Sequence, residues 1–105
     1  MDLEVAERRT EPRQAATDLH IIHATVRPGH AIQVVDLSRT GAQIETDRAL
    51  RPGTRVHIRL VSQERTLVLA ALVLRCTVWA LHPDEGVMYR GALQFEERCP
   101  PLSLA

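Results

Sequence analysis

Short runs of valine, isoleucine, leucine and threonine recur along the chain from residue 19 onward, separated by residues that favour turns. Alternation of apolar and polar side chains is clearest where Val56, Ile58 and Leu60 share one face and arginine and histidine take the other. Near the end of the chain, Leu93 and Phe95 flank an outward Gln94 in the same way. The pattern predicts six strands, at residues 18–27, 30–36, 41–47, 54–62, 65–79 and 87–96.

The fifth predicted strand is the most ambiguous, because the sequence TLVLAALVLRCTVWAL is rich in leucine and alanine and would also suit a helix. Its even-numbered positions, from Val68 to Val78, are all apolar, whereas the odd-numbered positions include Arg75 and Thr77. This favours one long strand whose even-numbered face is buried.

The predicted connections are short, which indicates mostly antiparallel pairing, and closing such a sheet removes its exposed edges. The expected fold is therefore an all-β protein, a small six-stranded antiparallel β-barrel. We divide the chain into a flexible N-terminal arm without a strand partner (residues 1–16), the barrel (17–97) and a tail (98–105). The tail is too short and too rich in proline for a substantial C-terminal helix.

Composition and charge exclude several function classes. Of the 105 residues, 45% are hydrophobic, so the chain should fold, but formal charges balance to zero. That balance argues against a protein that coats DNA or RNA or binds an anionic membrane. Cys76 and Cys99 are too few and too far apart for a disulfide framework or a zinc site. No signal peptide or membrane span is predicted, so the expected location is cytoplasmic.

The arm concentrates positive charge ahead of the first strand: Arg8, Arg9 and Arg13 fall within seven residues, with Pro12 among them. All 13 cationic residues of the chain are arginine, whose planar guanidinium pairs bidentately with planar partners. The arm is either a solvated tail or a segment that binds an anion. The spacing R-x-x-x-R alone does not decide, because it recurs at later, solvated positions, Arg51/Arg55 and Arg55/Arg59.

A second polar cluster occupies the turn in VVDLSRTGAQI, residues 34–44. Asp36 and Ser38 are two residues apart, so in extended chain their side chains point the same way. The carboxylate can accept two N–H bonds from a guanine edge, and the hydroxyl can donate to phosphate. Gly41 permits a positive φ or a close approach to the backbone. The alternative is that these three residues simply form a turn.

Together these features resemble the PilZ domain family, receptors for the bacterial second messenger cyclic di-GMP. The family pattern has R-x-x-x-R in an N-terminal arm, which Arg9 and Arg13 match, followed by D/N-x-S-x-x-G, which Asp36, Ser38 and Gly41 match. RPGTRVHIRL and YRGALQF are similar to later segments of the family, so that the resemblance covers residues 7–97. The chain departs from the family at its end, where many members continue into a helix.

The resemblance implies a cyclic di-GMP receptor or adaptor with a protein effector as its partner, no cofactor, no metal ion and no catalysis. Arg9 and Arg13 would bind the guanine edge and phosphate, Asp36 and Ser38 would reach base and phosphate from the barrel, and Gly41 would let the loop come close. Arg8, which the motif does not require, could reach the second molecule of an intercalated ligand dimer.

Three other functions remain to be weighed. Single-stranded nucleic acid would require exposed aromatic stacking surfaces, which the three aromatic residues are not expected to supply. A ligand-independent PilZ-like adaptor that binds only protein is the main alternative. An enzyme is disfavoured, because His20 and His23 point opposite ways in a strand and no nucleophile with a base can be placed.

Overall fold

The computed structural model describes residues 14–15, 21–27 and 29–100. This part of the chain contains eight β-strands and no helix. Their bounds are β1 Gln14–Ala15, β2 Ile21–Val26, β3 His30–Ala31, β4 Gln33–Leu37, β5 Gly41–Thr46, β6 Arg55–Ser62, β7 Thr66–His82 and β8 Gly86–Phe95.

All described strand pairs are antiparallel, in one sheet of order β1-β4-β5-β8-β7-β6-β2-β3. Only Ile32 separates β3 from β4, and its N–H donates to the carbonyl oxygen of Ala24 in β2. This stretch of chain therefore pairs with β2 at its start and with β5 at its end, which curls the sheet back on itself. The predicted antiparallel all-β fold is confirmed. The strand count is eight because the predicted second strand is divided at Ile32 and β1 is additional.

The core of the curled sheet is aliphatic. Ile44, Ile58 and Leu60 are fully buried, and Phe95 is the one aromatic side chain in the described core. In β6 the alternation runs as the sequence predicts, with Ile58 and Leu60 inside and Arg59 outside. Each fully buried aliphatic side chain of this size contributes about 1.5–3 kcal/mol of transfer free energy.

In the first half of β7, up to Val73, the buried face is the opposite of the predicted one, whereas beyond the register shift between Val73 and Arg75 the odd-numbered Arg75 and Thr77 lie on the outer face, as predicted. Its buried side chains are at odd-numbered positions (Leu67, Leu69, Ala71 and Val73), and its even-numbered face is largely exposed. The register with β6 explains this, because Leu60 pairs with Leu67 and Ile58 pairs with Leu69. Directly paired residues share a face of a sheet, so the odd-numbered residues of β7 that pair with Ile58 and Leu60 also face the core.

The arm joins the sheet at its end. Gln14 pairs with Leu37 and Ala15 pairs with Asp36, so the expectation that the arm has no strand partner is wrong for these two residues. The rest of the predicted arm, residues 1–13 and 16, lies outside the described residues. Gln14 and Ala15, which the sequence analysis assigned to the arm, therefore form part of the sheet.

The described part of the tail runs across one end of the curled sheet. The N–H of Cys99 donates to the carbonyl oxygen of Arg39 at 2.7 Å, and the side chain of Cys99 is buried. This burial raises the pKa of the Cys99 thiol, and the nearby charges of Arg65 and Arg39 oppose the rise. Within the described residues no helix is long and apolar enough to cross a membrane.

Candidate functional site

The six residues predicted to bind a ligand divide into two groups. Arg8, Arg9 and Arg13 lie outside the described residues, and their role stays a prediction. The other three, in the D-x-S-x-x-G motif, lie at the end of β4 and the start of β5.

Ser38 holds the connection between these strands together. Its Oγ accepts hydrogen bonds from the N–H groups of Thr40 and Gly41, at 3.3 and 3.2 Å. Its own N–H donates to the carbonyl oxygen of Gly41 at 2.9 Å, and its side chain is buried. The hydroxyl therefore forms the turn, as in the alternative left open by the sequence, and its contact with a phosphate stays a prediction.

Gly41 is required by the packing of β5 against β8. It is not among the described glycines with a positive φ. A Cβ built on Gly41 would meet the carbonyl oxygen of Leu93 at 2.3 Å, far inside contact distance. The close approach that the sequence predicts is thus made by the backbone of β8, and this glycine fixes the position of the loop that carries the motif.

Asp36 begins a row of residues that crosses the outer surface of the sheet. It pairs with Gln43 of β5, Gln43 pairs with Ala92 of β8, and Ala92 pairs with Arg75 of β7. Directly paired residues share a face, and Leu37, Ala42, Ile44 and Leu93, which adjoin members of the row in sequence, are buried on the inner face. Three strand spacings of ~4.8 Å place Asp36 and Arg75 about 14 Å apart.

The far end of this row borders an open depression of about 230 Å³, lined by Gln43, Arg75, Thr77, Trp79, Arg90, Gly91 and Ala92. The guanidinium carbon of Arg90 lies 3.5 Å from the centroid of the Trp79 ring. Arg90 also forms an ion pair with Glu45, and both side chains are about three-quarters buried. We call Asp36, Gln43, Arg75, Trp79 and Arg90 the outer-face site.

The chemistry of the outer-face site suits an anion with flat, polar rings. A guanidinium held against an indole is a planar cation that is fixed in orientation, and such pairs are stronger when partly desolvated. The Nε of Arg90 is buried and has no hydrogen-bond partner among the described residues. The exposed Arg75 and the half-buried Asp36 add a cation and a hydrogen-bond acceptor at opposite ends of the row.

Sequence reasoning identified Asp36 but not the other members of the outer-face site. The odd-numbered positions of Arg75 and Thr77 were a signal, since they place polar groups on the outer face of β7. Trp79 was not identifiable, because it is the extra residue where β7 slips in register against β8. Trp79 is 55% exposed, so the expectation that no aromatic residue offers an exposed stacking surface is wrong for this residue.

Other candidate groups in the described residues do not form a site. Arg55 donates to Glu96 in an exposed ion pair, with 2.6 Å between Nε and Oε2, and Arg51 is exposed in a turn. The later R-x-x-x-R spacing thus reflects surface positions, as predicted. The described residues contain no group of three or more histidine, cysteine, aspartate or glutamate side chains that could hold a metal ion.

Comparison with known proteins identifies relatives of the whole fold. A family model described as PilZ domain matches residues 7–98. Among solved structures, the chain is similar to the PilZ domain with c-di-GMP of YcgR from Escherichia coli, with a TM-score of 0.63 and 17% sequence identity. The match covers 85% of this chain and 78% of that chain. At this identity the likeness shows a common fold. No curated protein matches the chain.

Proposed function

Because the chain belongs to the PilZ domain family, we propose that it binds cyclic di-GMP on the outer face of β4, β5, β8 and β7 and acts as a second-messenger receptor or adaptor. The complete R-x-x-x-R and D-x-S-x-x-G motifs support this proposal. So does the common fold with a PilZ domain that was solved with c-di-GMP.

The register of β1 is the observation that carries the proposal. Gln14 pairs with Leu37 and Ala15 pairs with Asp36, so the arm leaves the sheet directly beside the D-x-S-x-x-G motif. Arg13 directly precedes Gln14 in the sequence, and Arg9 lies four residues before Arg13, toward the N-terminus. At ~3.3–3.6 Å per extended residue, the Cα of Arg9 is within about 18 Å of that of Gln14. Both motifs are therefore within reach of one ligand.

The ligand offers two phosphates and two guanine bases. Arginine can donate two hydrogen bonds to O6 and N7 of guanine, stack on a purine face or pair with phosphate. In the proposed complex Arg9 and Arg13 take these roles from the arm. Asp36 accepts from the guanine N–H groups, and Arg75 attracts the phosphates from the far end of the row.

The remaining residues have supporting roles in this proposal. Ser38 and Gly41 hold the loop that carries Asp36, because the Ser38 hydroxyl and the Gly41 backbone already fix the turn. Arg90 is committed to Glu45 and Trp79, so it orients the indole that borders the depression. In this proposal the chain acts as a receptor and not as an enzyme.

A ligand-independent adaptor is the second candidate, and one observation favours it. Ser38 and Gly41 both have structural roles within the barrel, so selection for folding alone would retain two of the three motif residues on the barrel. Arg9 and Arg13 are the residues whose retention the adaptor does not explain. Binding measurements on variants of these arginines therefore distinguish the two candidates.

Arg8 provides a test of how many ligand molecules bind. An intercalated cyclic di-GMP dimer presents four phosphates and four guanines, more than two arginines can satisfy. We expect calorimetric titration to give two ligands per wild-type chain, and Arg8→Leu to lower this ratio toward one without abolishing binding. The competing account makes Arg8 a solvated charge near Glu7 or Glu11, worth under about 1 kcal/mol. A ratio of one for the wild type, or of two for both proteins, would remove Arg8 from the site.

A further inference from the structure

The outer surface of β2, β6 and the first half of β7 carries positive charge without a balancing acid. Arg59 of β6 pairs with Val68 of β7, and at the end of β2 the N–H of Arg27 donates to the carbonyl oxygen of His57. The side chains of Arg27 and Arg59 are exposed and form no ion pair with a described residue. Aspartate and glutamate are absent from β2, β6 and the first half of β7, although the whole chain has a formal net charge of zero.

An apolar stripe lies beside the charged one. On the outer face of β7, Val68 is 59% exposed and Leu72 is 37% exposed, with the half-buried Ala70 between them. Val68 pairs with Arg59 and Ala70 pairs with His57, so the two stripes run side by side, one strand spacing of ~4.8 Å apart. This surface shares no residue with the outer-face site. We call it the basic face, formed by Arg27, His57, Arg59, Val68 and Leu72.

We propose that the basic face binds an acidic amphipathic helix of a partner protein. The face of a sheet offers no free backbone hydrogen-bonding groups, so its occupant must satisfy its own, as a helix does. Alternate side chains of a strand repeat every ~6.6 Å, and residues i and i+4 of a helix are ~6 Å apart along its axis. Neighbouring side chains on a helix surface are ~5–6 Å apart, close to the separation of the two stripes. A helix with glutamates beside a leucine stripe therefore matches the basic face in both directions.

Size and chemistry favour such a helix over other anions. The eight residues of β6 extend about 26 Å at ~3.3 Å per residue, which a helix spans in about 17 residues. Nucleic acid is disfavoured, because the basic face has no aromatic side chain on which a base could stack. An anionic membrane is disfavoured, because each of the two arginines contributes only ~1 kcal/mol near its surface. An apolar stripe bordered by arginine is instead typical of a protein interface, in which arginine is enriched.

Fluorescence anisotropy with the full chain and without nucleotide tests this proposal, so the outcome is independent of cyclic di-GMP binding. The probe is a labelled helical peptide of about 18 residues with a leucine stripe flanked by glutamates on one side. The narrow face predicts a dissociation constant of roughly 10–100 µM. Glutamine in place of the glutamates of the peptide should weaken binding at least about tenfold. No binding of the glutamate peptide up to about 1 mM would overturn the proposal.

Arg59→Glu should weaken binding of the glutamate peptide at least about tenfold, because it places a carboxylate opposite the acidic side of the helix. Arg27→Glu should act in the same direction and provides a second variant. Arg48→Glu is the matched control, since Arg48 is also exposed but lies in the loop after β5, outside the basic face. It changes the net charge equally and should leave the affinity within about twofold. Equal weakening by Arg59→Glu and Arg48→Glu would overturn the proposal, because net charge alone would then control binding.

Val68→Ser and Val78→Ser test the apolar stripe. Both valines are 59% exposed on β7, but Val78 lies beyond the basic face. Val68→Ser should weaken peptide binding at least about threefold, and Val78→Ser should leave it within about twofold. Equal effects of the two variants would contradict the proposed contact. Tighter binding of a single-stranded RNA or of phosphatidylglycerol vesicles than of the peptide, lost in Arg59→Glu, would also overturn the proposal, because a nucleic acid or a membrane would then be the occupant.

Discussion

Arg9→Lys and Arg13→Lys are each expected to weaken cyclic di-GMP binding more than about a hundredfold and to leave the melting temperature within about 2 °C of the wild type. Lysine keeps the positive charge but loses the planar pair of donors and the stacking surface. Both arginines belong to the polar segment that precedes the predicted barrel strands and in which the sequence predicts no core residue, so folding should be unaffected. Calorimetry measures the affinity, and thermal unfolding by circular dichroism measures the stability.

The control for this prediction is Arg51→Lys. Arg51 begins a later R-x-x-x-R spacing, and its side chain is exposed in a turn away from the motif. The same change of chemistry at Arg51 should leave the affinity unchanged. If the lysine variants of Arg9 and Arg13 bind as tightly as the wild type, charge alone matters and the proposed readout of guanine is wrong. If the wild type itself does not bind, the ligand-independent adaptor is the better account.

Gly41→Ala is expected to lower the free energy of unfolding by about 3 kcal/mol, the upper end of typical overpacking costs. The added Cβ would lie 2.3 Å from the Leu93 carbonyl oxygen, a backbone atom that moves only if β5 and β8 separate. For a domain of this size the melting temperature should fall by roughly 12–24 °C. Chemical denaturation followed by circular dichroism measures both the stability and the cooperativity of unfolding.

Gly91→Ala is the matched control for this prediction. Gly91 is also buried and also lies in the β5–β8 pair, but its added Cβ would come no closer than 3.6 Å to Arg75, Leu50 and Ile44. Its unfolding free energy should change by less than about 1 kcal/mol. Equal losses in the two variants would show that the close contact with Leu93 is not what requires glycine at position 41.

The contrast between β6 and β7 shows how much of the fold can be predicted from sequence. In β6 polar and apolar side chains alternate, so one face must be the inner one, and Ile58 and Leu60 are inside as predicted. In the first half of β7 both faces are apolar, and periodicity cannot choose between them. Pairing with β6 determines which face of β7 is buried there, because Leu67 lies opposite the inward Leu60. Long-range pairing of this kind is absent from a local pattern.

The candidate site, likewise, was predictable only where its residues are close in sequence. Asp36 was predictable because its motif lies within a few consecutive residues. Gln43 and Arg75 join Asp36 only through three strand pairs, and the position of Trp79 depends on a register shift. The arm was expected to lack a strand partner because two residues are too few for a recognisable strand pattern. Gln14 and Ala15 nevertheless pair with β4, and this pairing fixes where the arm begins.

Calorimetric titration of the wild-type chain with cyclic di-GMP, GMP and cyclic di-AMP tests the proposed function most directly. The account predicts micromolar or tighter binding of cyclic di-GMP. Adenine replaces the O6 acceptor of guanine with an amino donor, and each of the two guanine contacts is worth ~1–3 kcal/mol, so cyclic di-AMP should bind at least about thirtyfold more weakly. GMP, which lacks the second guanine, should also bind more weakly. Comparable affinities for cyclic di-GMP and cyclic di-AMP, or no binding of cyclic di-GMP, would contradict the account.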